Sequence, residues 1–223
     1  MNDAQNELEP LQRLILAYAK SGDRDRYALL FALDARFAET IRSTSEILIG
    51  QMRLTWWRDN LTKPAGDRPT GEPLIQQINL IEARGEGLAP LLALLDGWEV
   101  MLDDFPWDDR QFESYATARG RGFFEFGLPD GMALTEEQAG QAEAWALWDF
   151  ARHCSDANMR AAAFDRCGQI LKSQQRVDFD RSGRPLSILC QLMLRDVRKG
   201  QLAPDLYDPA SAARIIWHGI AGR

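Results

Sequence analysis

The feature that most constrains this chain is the period of its apolar residues, which is helical in almost every segment. Leu91, Leu95, Trp98 and Leu102 follow one another at spacings of four and three after Pro90, a residue suited to a first helical turn. Leu11, Leu14, Ile15 and Tyr18 share a face between Pro10 and Lys20, and Gly22 is placed to stop that helix. A second helix starts near Asp23 and carries Leu29, Leu30, Leu33, Phe37 and Ile41. Ser45 can cap a third, with Leu48, Met52, Trp56 and Leu61. The stretch 62–72, with two prolines and two glycines, is the clearest loop, and Pro73 opens the next helix.

Further helices are expected over Asp109–Phe126, from a capping-box pattern at Thr135–Gln138 to His153, and over Ala157–Gln174. Two more are expected over Pro185–Lys199, ended by Gly200, and over Pro209–Ile220 with Asp208 as cap. No run of alternating β-branched residues reads as a strand, and no internal repeat stands out. The pattern therefore predicts an all-α protein: a single helical bundle of about eight to ten helices forming one domain over residues 1–223. At 223 residues and 45% hydrophobic composition the chain can bury a full core, and seven tryptophans point to a bulky, aromatic interior.

Charge and cysteine usage narrow the function classes. A net charge of −7 argues against a general nucleic-acid binder, which needs a basic surface for phosphate contacts. Three separated cysteines (Cys154, Cys167, Cys190) and two histidines (His153, His218) indicate neither a disulfide framework nor a structural zinc site. With a polar, acidic N-terminus unlike a signal peptide, they suggest a cytoplasmic protein with reduced thiols. The apolar runs are shorter than the roughly 20 residues that span a bilayer, so no transmembrane segment is expected. Peripheral contact with a membrane stays open.

Three local constellations could carry chemistry. Asp103-Asp104-Phe105-Pro106-Trp107-Asp108-Asp109 offers carboxylates of the kind Mg²⁺ requires, but Pro106 divides the run and Asp108 is placed to cap a helix, so an acidic interhelix turn is the competing reading. In residues 51–61, Arg53, Trp57 and Arg58 could stack on or neutralise an anionic ligand; the same residues could equally supply aromatic packing and an interhelical ion pair. Arg119-Gly120-Arg121-Gly122 puts two glycines into a helix at a cost of roughly 1 kcal/mol each against alanine. Close helix packing or close approach of a ligand would account for them.

The segment 26–39, followed by Ser45-Glu46 and by MRLTWWRDNL at 52–61, resembles a branch of the squalene/phytoene synthase family that carries a phrase close to RLxWWRDAL. Gly97-Trp98-Glu99, Tyr115-Ala116 with Arg119-Gly120, and Arg184-Pro185-Leu186 extend the resemblance over most of the chain. It implies the isoprenoid-synthase fold: a central cavity for prenyl chains between two facing helices, whose aspartate-rich segments bind Mg²⁺ and, through it, substrate diphosphates. At both segments this chain departs from the family. Where RxxDDxxD is expected it has Ala38-Glu39-Thr40-Ile41-Arg42, so one acid survives and an arginine replaces the last aspartate. Over NxxRDxxED lie residues 149–156, with His153 after the arginine and only Asp149 and Asp156 as carboxylates.

The resemblance thus implies a protein that has lost Mg²⁺-dependent prenyl transfer, has no cofactor, and acts in binding or assembly. Its partner would be an isoprenoid or other apolar ligand, or another protein; the same branch includes relatives of a mitochondrial respiratory complex I assembly factor. Arg36, Arg53, Trp57, Arg58, Tyr115 and Arg119 are the ligand-binding candidates, and no metal ligand is assigned. The alternative is a prenyl transferase with a reduced Mg²⁺ site, in which Asp34, Glu39, Asp149 and Asp156 are the carboxylates and Arg36 and Arg53 contact diphosphate. A third reading is an unrelated helical bundle.

Overall fold

The apolar periods of the sequence become helices wherever the structure, a computed structural model, describes the chain: residues 8–44, 46–172 and 179–204. Among the described residues there are nine helices and no strands. They are α1 (Pro10–Leu16), α2 (Arg24–Arg42), α3 (Ile47–Thr62), α4 (Pro73–Glu82), α5 (Ala89–Val100), α6 (residues 109–127), α7 (Glu136–His153), α8 (Ala157–Lys172) and α9 (Arg184–Lys199). Within α6, a π-helical stretch, Ala116–Arg121, separates α-helical Asp109–Tyr115 from Gly122–Gly127. The helix expected over 209–220, the Ser45 cap and the end of the helix expected to reach Gln174 lie outside the described residues.

Local chemistry accounts for the boundaries. At Thr135 and at Asp108 the side chain accepts from a backbone N–H three residues on, and Gln138 and Gln111 return the bond, so two helix starts are closed by reciprocal caps. Gly200 ends α9 with φ at 65°, a conformation in which a side chain is disfavoured. The expected first helix is shorter than its apolar stripe, ending at Leu16, because Tyr18 and Ala19 close into turns by bonding Ile15 and Leu16 carbonyls. The 62–72 loop contains a short 3₁₀ turn and is pinned by buried Arg68, which donates to the Asn60 carbonyl, Asn79 and Glu82.

The core runs without a break from α1 to α9. Residues 26–33 of α2 are buried on every side, and α7 is buried over most of its length from Ala139 to Ala151. Helices apolar all round belong at the centre of a bundle, and α2 and α7 hold that place. Three glycines let α5, α6 and α7 come close enough to share it. A Cβ on Gly97 would stand 2.5 Å from the Arg119 backbone nitrogen, and one on Gly122 would stand 2.5 Å from that of Leu94. A Cβ on Gly120 would strike the Ala142 carbonyl. The helical glycines at 120 and 122 are thus explained by backbone-to-backbone contact.

The tryptophan-rich α3 divides its two faces. Trp57 is buried and meets Phe37 edge-on at 5.7 Å, while Arg58 reaches α5 to pair with Asp96 at 2.5 Å and Glu99 at 2.8 Å. On the opposite side Leu48, Met52 and Trp56 form an exposed stripe, with Leu48 and Met52 each 66% exposed. The acidic run 103–109 is an interhelix turn, where Asp108 caps α6, Asp103 accepts from Gln111, and Asp109 pairs with Arg166. Among the described residues no helix is long and apolar enough to cross a membrane.

Candidate functional site

Between α1, α2, α6 and α7 lies a cavity of about 770 Å³. Its apolar wall includes Phe31, Leu74, Phe123, Trp145, Trp148 and Leu189. Arg36, Glu39 and Arg42 of α2 and Arg152 and His153 of α7 line it as well, so segments 38–42 and 149–156 both border this space. Volume and mixed lining are those of a small-molecule site.

At the polar heart of the cavity is Arg119. The wide π turn of α6 carries it, and it is only 1% exposed. Its Nε donates to Asp34 Oδ1 at 3.2 Å, and its Nη2 donates to Asp34 Oδ2 at 2.8 Å and to Asp149 Oδ2 at 2.7 Å. Trp98 Nε1 donates to the same Asp34 Oδ1 at 2.7 Å. The guanidinium carbon stands 4.7 Å from the Trp98 ring centroid and 4.9 Å from that of Trp145, so aromatic faces enclose the cation. A guanidinium in this setting bridges helices α2 and α7 through carboxylates 115 positions apart in the chain (149 − 34).

Burial and charge oppose one another here. Burial by itself would lower the Arg119 pKa, but the carboxylates around it, Asp34 before Asp149, outweigh it and hold the group well above its ordinary range. Burial would raise the Asp149 carboxyl, yet Arg119, His153 and Arg152 bring it below its ordinary value. Burial pushes the Tyr115 phenol up, keeping it neutral beside the ion cluster. The cluster thus sets one guanidinium between two carboxyl groups, at 2.8 Å from Asp34 and 2.7 Å from Asp149.

Six of the candidates from the sequence line this cavity: Asp34, Arg36, Glu39, Tyr115, Arg119 and Asp149. The others do not. Asp156 caps α8, its Oδ1 accepting from Asn158 N and Met159 N at 2.9 Å each. Arg53 is exposed and donates to the Ser43 and Thr44 hydroxyls, and Trp57 and Arg58 serve packing and an ion pair away from the cavity. Glu39 faces Arg36 at 3.8 Å, and Arg36 also pairs with Glu72 at 3.1 Å. Among the described residues no group of three or more His, Cys, Asp and Glu side chains converges as metal ligands.

Trp98, Trp145 and Arg152 line the site without having been selected from the sequence. Trp98 sits in the Gly97-Trp98-Glu99 phrase, and the helical glycines around Arg119 mark where backbones crowd; these were the available signals. Trp145 carried none, since an indole in an apolar stripe reads as core. The chain matches no protein-family model, no curated protein and no solved structure.

Proposed function

We propose that this chain is a non-catalytic binding protein of the squalene/phytoene synthase type, whose central cavity takes an apolar, isoprenoid-like ligand. The observation that carries the reading is Arg119 standing between Asp34 and Asp149. Ionising an allylic diphosphate calls for divalent cations on several carboxylates to stabilise the departing charge. Here the two best-buried carboxylates of the cavity are bonded to an internal cation instead, and Arg42 lines the side where a further carboxylate would be needed. The cavity itself supports retention of an apolar guest.

Calorimetric titration with farnesyl diphosphate and with farnesol, with and without Mg²⁺, together with an assay for released pyrophosphate, tests the proposal. The expected result is uptake of prenyl compounds that ignores Mg²⁺ and releases no pyrophosphate. Mg²⁺-dependent binding with pyrophosphate release would overturn it in favour of a prenyl transferase. Absence of all binding would overturn it in favour of a protein-assembly role, for which the exposed Leu48, Met52 and Trp56 stripe is the first surface to probe.

A further inference from the structure

An apolar patch meets the mouth of the cavity at one end of the bundle. Within the first ten positions of α3, five large apolar residues, Ile47, Leu48, Ile49, Met52 and Trp56, are each between 40% and 66% exposed. Leu48, Ile49, Met52 and Trp56 share the face opposite Gly50, Leu54, Trp57 and Leu61, which the helix buries. Elsewhere large apolar residues are exposed singly, as at Leu80 and Met132. A single one is ordinary, whereas a contiguous group marks an interaction surface.

The inner end of the cavity is shut by Phe31, Phe123 and Trp145, which are at most 3% exposed and stand in ring contact at 5.8 and 4.4 Å. Its outer rim is exposed at Glu39, Arg42, Phe105 and His153. The start of α3 lies beside that rim. Arg53 donates to the hydroxyls of Ser43 and Thr44, just past Arg42. Gly50 packs so closely on Leu102, three residues before Phe105, that a Cβ there would stand 2.7 Å from Leu102 Cδ2.

Size and charge decide what covers the patch. Five half-exposed side chains amount to a few hundred Å². A symmetric pair of chains joined through them alone falls short of the roughly 1,200–2,000 Å² that a stable protein interface buries. Exposed charges of both signs ring the patch, Arg42 and Arg53 against Glu46, Asp59 and Asp104, and the chain carries −7 overall, so an anionic surface is not selected. A zwitterionic bilayer surface takes up apolar side chains without a matching shape or a net charge, and an amphipathic indole such as that of Trp56 favours its interface.

We infer that the first turns of α3, with Phe105, dock on the surface of a zwitterionic lipid bilayer. The cavity mouth then meets the membrane, and, resting on the binding role proposed above, an apolar guest passes between lipid and cavity without crossing water. Attachment is peripheral and reversible, because it buries a few side chains and no spanning segment.

Co-sedimentation of the full chain with phosphatidylcholine vesicles, and with vesicles containing phosphatidylserine, at low and high salt, tests this without any guest present. The protein should bind both compositions, and its affinity should stay within about twofold as salt rises, because apolar burial is not screened. Leu48→Ser combined with Met52→Ser, at two exposed positions on which the fold does not lean, should weaken binding at least about tenfold. The same variant should take farnesol from cyclodextrin as the wild type does, and acquire it from vesicles several-fold more slowly. Absence of vesicle binding, binding confined to phosphatidylserine vesicles at low salt, or an unaffected double variant would overturn the inference. So would self-association, read by sedimentation equilibrium, that the double variant abolishes, since the patch would then belong to a second copy of the chain. Failure of the wild type to take farnesol even from cyclodextrin would refute the binding role and the transfer built on it, a result distinct from failure to bind vesicles.

Discussion

Replacing Arg119 by methionine keeps the length and apolar stem of the side chain and removes its charge, leaving Asp34 and Asp149 facing each other in a buried site. Three charge-assisted hydrogen bonds vanish, at 3.2, 2.8 and 2.7 Å. Each such bond is worth about 1.5–3 kcal/mol by itself, but they share partners and do not add. The better guide is the cost of breaking a buried ion pair by removing one member, about 3–5 kcal/mol. Against a typical stability of about 5–15 kcal/mol, the Arg119→Met protein should fold but unfold at clearly lower denaturant. The loss should also depend on pH. In the native protein the Asp149 carboxyl is held below its ordinary value, so it contributes stability above the unfolded carboxylate pKa of about 3.9, and that contribution is lost as the pH falls through the lowered value. Without Arg119, burial is left as the largest influence and raises the carboxyl, so the variant's penalty is smallest below about 3.9 and grows as the pH rises. The variant's raised carboxyl narrows the gap between the two proteins from pH 7 toward pH 4, and loss of the native contribution narrows it further below about 3.9. Urea unfolding at several pH values measures it. A difference under about 1 kcal/mol at pH 7, well below the buried-pair range, or one that stays constant with pH, would refute the account of the triad.

Two further outcomes follow from packing and burial. Gly97→Ala places a methyl 2.5 Å from the Arg119 backbone and should lower stability by about 1–3 kcal/mol or more, whereas Gly66→Ala, with nothing within 4 Å, should stay within about 0.5 kcal/mol; thermal melts of the pair read the contrast. Burial pushes the Cys167 thiol up to about 12 and the Cys190 thiol higher still, while half-buried Cys154 is raised as well but remains accessible. A thiol reagent at pH 8 should therefore label Cys154 alone in the native protein, slowly, and all three cysteines in guanidinium; rapid native labelling of Cys167 or Cys190 would contradict the burial.

The sequence by itself determined the helices. Period, cap and breaker are local properties, so the Thr135 capping box, Pro73, Pro90 and Gly200 mark helix ends whatever else the chain does. It also marked Arg119 through the two glycines beside it, though not whether a ligand or a helix needed their smallness. Local patterning could not pair Asp34 with Asp149, because Arg119 joins helices whose proximity is decided only when α5, α6 and α7 close on Gly97, Gly120 and Gly122. The same closure separated residues that look alike in the sequence. Trp57 and Trp145 both stand in aromatic helices, yet one fills the core against Phe37 and the other lines the cavity with its ring 4.9 Å from the buried Arg119 guanidinium carbon. A side chain's role in a cavity depends on which atoms face it across the bundle, and that is long-range information a local pattern of residues does not carry.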